Sequence, residues 1–103
     1  MSLDTSDFAR KVDEDARLVI LRALDAMPSG MLHDNLLADA LERLGHVRSR
    51  DWLRTQINKL VDLGAVEASP AGSVILVKIT RAGSDHVERR TLIEGIRRPS
   101  HGR

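Results

Sequence analysis

The sequence predicts a mainly α fold with a small β-hairpin: a winged helix-turn-helix with a three-helix core, a two-stranded wing and a C-terminal helix. Three observations carry this. Apolar residues recur at spacings of three and four through three successive segments between residues 6 and 63. The period then drops to two across residues 65–79, with turn residues in the middle. A threonine-capped helical segment follows and closes the pattern.

The first helix is expected over residues 6–27, with Phe8, Val12, Ala16, Val19, Ala23 and Met27 as its stripe. Leu18, Leu21 and Leu24 widen that stripe, so the second half is buried on more than one side. Pro28-Ser29-Gly30 ends it, because proline cannot continue a helix and disfavours helix before it. Met31-Leu32-His33 is long enough only for a brief strand. A second helix is expected over residues 35–44, with Asp34 as N-cap and Gly45 as a left-handed C-cap. A third is expected over residues 49–63, between Ser49 and Gly64. On it Leu53, Ile57, Leu60, Val61 and Leu63 share one arc, with Trp52 at the edge as a core residue. Asp51, Arg54, Thr55, Asn58, Lys59 and Asp62 lie on the opposite, polar arc. Strands are expected over residues 65–68 and 74–79, joined by Ser69-Pro70-Ala71-Gly72-Ser73. Thr80 caps a fourth helix over residues 81–92. The folded domain is thus read as residues 1–92. Residues 93–103 form a basic tail without apolar periodicity, expected to be extended and flexible.

Composition bounds the function. A chain of 103 residues is one domain, and with Phe8 and Trp52 as its two aromatics the core must be aliphatic. The net charge is +1, but its distribution is uneven. Residues 1–34 hold four cations against seven anions. Residues 43–59 hold five against one, and residues 81–103 six against three. That asymmetry points to an anionic partner. There is no cysteine, hence no disulfide or thiolate zinc site. No apolar run reaches the length of a membrane span and no signal-peptide pattern opens the chain, so a cytoplasmic location is expected.

No catalytic, metal or cofactor motif is present. His33, His46, His86 and His101 are scattered, and Asp34 beside His33 is better explained as a cap than as a ligand. Asp13-Glu14-Asp15 point to different faces of a helix. There is neither a phosphate loop nor a nucleophile elbow, so the chain is read as a non-enzyme.

In a winged helix-turn-helix the second helix of the pair enters the major groove, where Arg and Asn side chains read base edges. Arg50, Arg54, Thr55 and Asn58 are the residue types that task needs, with Arg48 and Ser49 at the turn and Lys78 at the hairpin base. Double-stranded DNA is the expected partner. Two features oppose it: the hairpin tip, residues 69–73, carries no cation, and Asp51 repels phosphate. A homodimer is expected through the first and fourth helices, using Phe8, Leu92 and Ile93.

A resemblance adds to this. The runs Ser49-Arg50-Asp51-Trp52-Leu53-Arg54-Thr55 and Leu60-Val61-Asp62-Leu63-Gly64-Ala65-Val66 resemble the small winged-helix proteins of Mu-like prophages. So do the helix from Arg17 to Leu24, the step Ile79-Thr80-Arg81-Ala82-Gly83 and the segment Gly95-Ile96-Arg97-Arg98-Pro99. The resemblance spans nearly the whole chain. It implies a phage or prophage protein with an ArsR-like or MarR-like winged helix, and supplies no established activity. Two functions remain open: a regulator-like DNA-binding protein, and a protein–protein module in phage assembly or DNA packaging.

Overall fold

A computed structural model of the chain describes residues 5–100. The elements run α1 (Thr5–Asp25), β1 (Met31–His33), α2 (Asp34–Arg43), α3 (Arg50–Asp62), β2 (Val66–Ala71), β3 (Val74–Ile79) and α4 (Arg81–Val87). Four helices thus accompany a three-stranded antiparallel sheet of order β1-β3-β2. The central helix is α1, which packs against α2, α3, α4, β1 and β3. Its Ala16, Leu18, Val19, Ile20, Leu21 and Leu24 are all buried, as the widened stripe requires. No helix among the described residues is long and apolar enough to cross a membrane.

The expected two-stranded hairpin is one strand short of what forms. Gly30, at φ +68°, turns the chain after Pro28, and its carbonyl accepts the Ile79 N–H at 2.9 Å. This lays Met31, Leu32 and His33 opposite Lys78, Val77 and Leu76. The brief strand expected at Met31-Leu32-His33 therefore forms, and its pairing makes it the third strand of the hairpin's sheet. The hairpin ladder is also longer than expected. It runs to Ala71 opposite Val74 and leaves Gly72 and Ser73 as the turn. Gly72 has φ +65°, the conformation such tight turns require at their first position. Pro70 is tolerated because β2 is an edge strand.

Asp34 is not the cap of α2. His33 holds the N-cap position without a side-chain cap bond, and the helix starts at Asp34 itself. The Asp34 carboxylate, 1% exposed, instead accepts the Ile75 N–H of β3 at 3.3 Å. The α3 N-cap is the one expected, Ser49 Oγ accepting the Trp52 N–H at 3.1 Å, while the C-cap is Leu63 and Gly64, at φ +77°, follows it.

The Thr80–Gly83 step is a joint between α4, β3 and the loop after α3. Thr80 Oγ1 accepts the Gly83 N–H at 3.2 Å and donates to the Gly64 carbonyl at 2.7 Å. The Thr80 N–H donates to the Ala65 carbonyl. That carbonyl sits so close to Gly83 that a Cβ there would lie 2.3 Å from its oxygen.

The α4 helix stops at Val87, five residues before the expected end. Arg89 adopts φ +63°, and the Arg90 N–H turns back to the Asp85 carbonyl. The chain then returns across α1. His86 is fully buried: its Nδ1 accepts the Ile93 N–H at 2.9 Å, and its Nε2 donates to the Arg97 carbonyl at 2.9 Å. Arg17 donates to the Gly95 carbonyl at 2.7 Å, and the Arg97 N–H to the Glu14 carbonyl at 3.1 Å. Ile96, 4% exposed, belongs to the core. Residues 93–100 are therefore a docked strap and not a flexible tail. The strap is held by Ile96, by buried Pro99, by partly buried Ile93 and by several bonds to backbone carbonyls, none of which leaves a periodic trace in sequence. Residues 101–103 of the expected tail, His101 among them, lie outside the described residues.

Candidate nucleic-acid interface

The inner face of α3 is fixed by buried Leu53, Ile57 and Leu60, and by Gln56, whose Oε1 accepts from Arg17 Nε at 2.9 Å. This orientation leaves Arg50, Asp51, Thr55, Asn58, Lys59 and Asp62 exposed to solvent. Two acidic groups share that surface with the cations. It is thus a mixed, polar arc able to make hydrogen bonds in several directions, and not a purely basic one.

Most of the sequence-predicted contact residues are already engaged within the fold. Arg48 is exposed and its guanidinium lies 4.7 Å from the centre of the Trp52 ring, a cation–π contact. Ser49 spends its hydroxyl oxygen on the cap. Arg50 donates to Asn35 Oδ1 on α2. Arg54, 40% exposed, reaches inward and places Nη2 3.7 Å from Asp34 Oδ2. Thr55 Oγ1 donates to the Asp51 carbonyl at 3.0 Å. Asn58 is exposed and lines a groove of about 210 Å³ between α3 and the hairpin, with Ser69, Pro70 and Ile75. These six residues lie between positions 48 and 58, from the turn into α3. Lys78 belongs to a different element, on β3, directly opposite Glu67 of β2. An acidic cross-strand neighbour lowers its pull on a phosphate.

Sequence reasoning missed the groups that hold these arginines. Asn35 and Asp34 lie 15 and 20 residues before their partners Arg50 and Arg54, and no local pattern joins them. Lys59, noted only as part of the polar arc, is an exposed cation on α3.

Trp52 anchors the turn between α2 and α3 to α1. It is half-buried, stacks on His46 with ring centres 6.0 Å apart, and donates from Nε1 to Asp13 Oδ1 at 3.1 Å. His46 Nε2 lies 2.7 Å from Asp15 Oδ2, while Arg97 donates to Asp15 Oδ1 at 2.6 Å. Burial works to raise the Asp15 pKa, but the hydrogen bonds and charges of His46 and Arg97 outweigh it. The carboxyl is held below its ordinary value. Asp13 and Asp15 of the acidic run are thus structural ties between α1, the turn and the strap. No group of three or more His, Asp or Glu side chains among the described residues is placed to hold a metal ion.

Away from α3, Phe8 is 54% exposed on the first turns of α1 and Leu92 is 40% exposed where the strap begins, whereas Ile93 is partly buried against the core.

A protein of Escherichia phage Mu, described as "Uncharacterized protein gp26", is 36% identical to this chain over 86 residues. The match covers 84% of this chain and 88% of the Mu protein. No family model and no solved structure matches the chain.

Proposed function

The chain belongs to the family of phage Mu gp26, and for this phage protein we propose a regulator-like role: a winged helix-turn-helix that binds double-stranded DNA. In this reading α2 and α3 are the helix pair, β2 and β3 the wing, and α3 enters the major groove. One observation carries the reading. The arc of α3 that faces away from the core carries Arg50, Thr55 and Asn58 next to the hairpin groove, and the turn before it carries Arg48. An α-helix fits the major groove; Arg48, Arg50 and Asn58 supply donors for base edges and phosphates, and the Thr55 hydroxyl oxygen can accept. A homodimer through exposed Phe8 and Leu92 would place two such helices on neighbouring half-sites.

The test is fluorescence anisotropy with a mixed-sequence duplex at several salt concentrations. Binding that weakens log-linearly with salt is the expected result, and a search for a specific site would follow. No binding at low salt would sink the reading.

A second reading is favoured by the hairpin tip. Residues 71–73 are exposed and carry no cation, and three of the four arginines between residues 48 and 54 and on α2 either have partners within the fold or stack on Trp52. Such a surface suits a protein partner in phage assembly or packaging. Recovery of a phage protein from nuclease-treated lysate, with no duplex binding, would support it.

A further inference from the structure

Arg54 differs from the other arginines of the candidate interface in what lies behind it. The partner of Arg50 is the neutral amide of Asn35, so Arg50 keeps its full charge. Arg48 lies over the Trp52 ring and also keeps its charge. Behind Arg54 stands a carboxylate that is 1% exposed. Asp34 Oδ1 is taken by the Ile75 N–H at 3.3 Å, while Oδ2 makes no hydrogen bond and faces Arg54 Nη2 at 3.7 Å. Arg54 Nε is also buried without a hydrogen bond. Arg54 is thus the cation that balances a buried anion. If its guanidinium swung out to a phosphate, the anion would be left uncompensated in a poorly solvated place, which is costly. The Arg54 side chain as a whole is still 40% exposed, so it is not closed off from solvent.

From this we infer that Asp34 is a positioning residue that sets the selectivity of α3: it withholds the Arg54 charge from phosphates and fixes the guanidinium for a base edge. The inference rests on the duplex reading above. In it, Arg48 and Arg50 supply sequence-independent attraction and Arg54 supplies direction. Non-specific affinity is kept low by an acidic residue that never touches the nucleic acid. Asp34 reaches this role through two elements at once, since the same carboxylate ties the start of α2 to the start of β3.

The experiment compares wild type, Asp34→Asn, Arg54→Gln and the double variant. Each is titrated with a mixed-sequence duplex by anisotropy between 50 and 200 mM salt, after a thermal melt has checked folding. Asn at position 34 keeps an oxygen for the Ile75 N–H and removes the charge. Freed Arg54 then acts as one more phosphate contact. The log–log salt slope of Asp34→Asn steepens by about 0.9, or about 3.5-fold more affinity lost over that fourfold salt range. Arg54→Gln alone leaves the slope of the wild type unchanged, and in the double variant it cancels the gain. An unchanged slope in folded Asp34→Asn overturns the inference. So does a slope shallower by about 0.9 in Arg54→Gln, because Arg54 would then already be a phosphate contact. If Asp34→Asn fails to fold, this Arg54→Gln arm still decides. Wild type that does not bind any duplex overturns the duplex reading itself, and the inference falls with it.

Discussion

Replacing Ile96 with alanine tests whether the strap is part of the domain. The side chain is 4% exposed and sits in the same core as Leu21 and Ile57. The change removes three carbons, worth about 0.8 kcal/mol each on transfer from water, so the transfer loss is about 2.4 kcal/mol. A residual cavity adds to this, although a surface strap settles more readily than a helix. The expected cost therefore lies near the low end of such core truncations, about 2–3 kcal/mol. For a domain of this size each kcal/mol is about 4–8 °C, so the melting temperature should fall by about 10–20 °C. Urea unfolding followed by far-ultraviolet circular dichroism measures it, with an unchanged m-value marking a pure stability effect. Arg98, exposed on the same strap, is the control, and Arg98→Ala should stay within about 0.5 kcal/mol of wild type. If Ile96→Ala also stays within that margin, residues 93–100 are not docked and the reasoning fails.

Two further outcomes follow from local geometry. Gly83→Ala pits helix propensity, a gain of about 1 kcal/mol, against a Cβ placed 2.3 Å from the Ala65 carbonyl oxygen. The clash with backbone should win, for a net loss of about 2 kcal/mol in the same urea assay; net stabilisation would mean that the joint between α4 and the α3–β2 loop is loose. The lowered pKa of Asp15 makes a definite pH signature. Its contribution is fully present above the ordinary aspartate value of about 4 and is lost as pH falls through the lower folded value. Stability should thus fall more steeply below about pH 4 in wild type than in Asp15→Asn, and parallel acid profiles would show that the ties to His46 and Arg97 contribute nothing.

What the sequence made legible is what local chemistry determines. Ser49 and Gly64 bound α3 through contacts within a few residues, and the widened middle of the α1 stripe, from Ala16 to Leu24, declares its burial directly, whereas its ends, Phe8 and Met27, are exposed. The residue types on the outward arc of α3 were readable for the same reason. Features governed by distant partners were hidden. Asp34 looks like a cap because aspartate before an apolar run usually is one; its actual partner, Ile75, lies 41 residues away. The end of α4 depends on the buried ring of His86 offering both nitrogens to the returning chain, which a hydropathy pattern does not register. The strap's apolar contacts, Ile93, Ile96 and Pro99, are spaced without helix or strand periodicity among charged neighbours, and its Arg97 ties to Asp15 across 82 residues. In the candidate interface the cations were visible, but Asn35 and Asp34, which decide how free those cations are, were not.

The order β1-β3-β2 also bears on how the protein behaves when crowded. A sheet of three strands has two open edges, and each is a template on which another chain can add a strand. One edge here is β1, only three residues long. The other is β2, six residues long and exposed from Glu67 to Ala71. It carries Glu67, a charge that repels a like edge, and Pro70, which has no N–H to offer a newcomer. The sheet is therefore guarded against lateral growth at both sides by brevity on one and side-chain chemistry on the other. A Pro70→Val, Glu67→Val version of this hairpin would keep the fold's pairing pattern while inviting two molecules to pair edge to edge through β2.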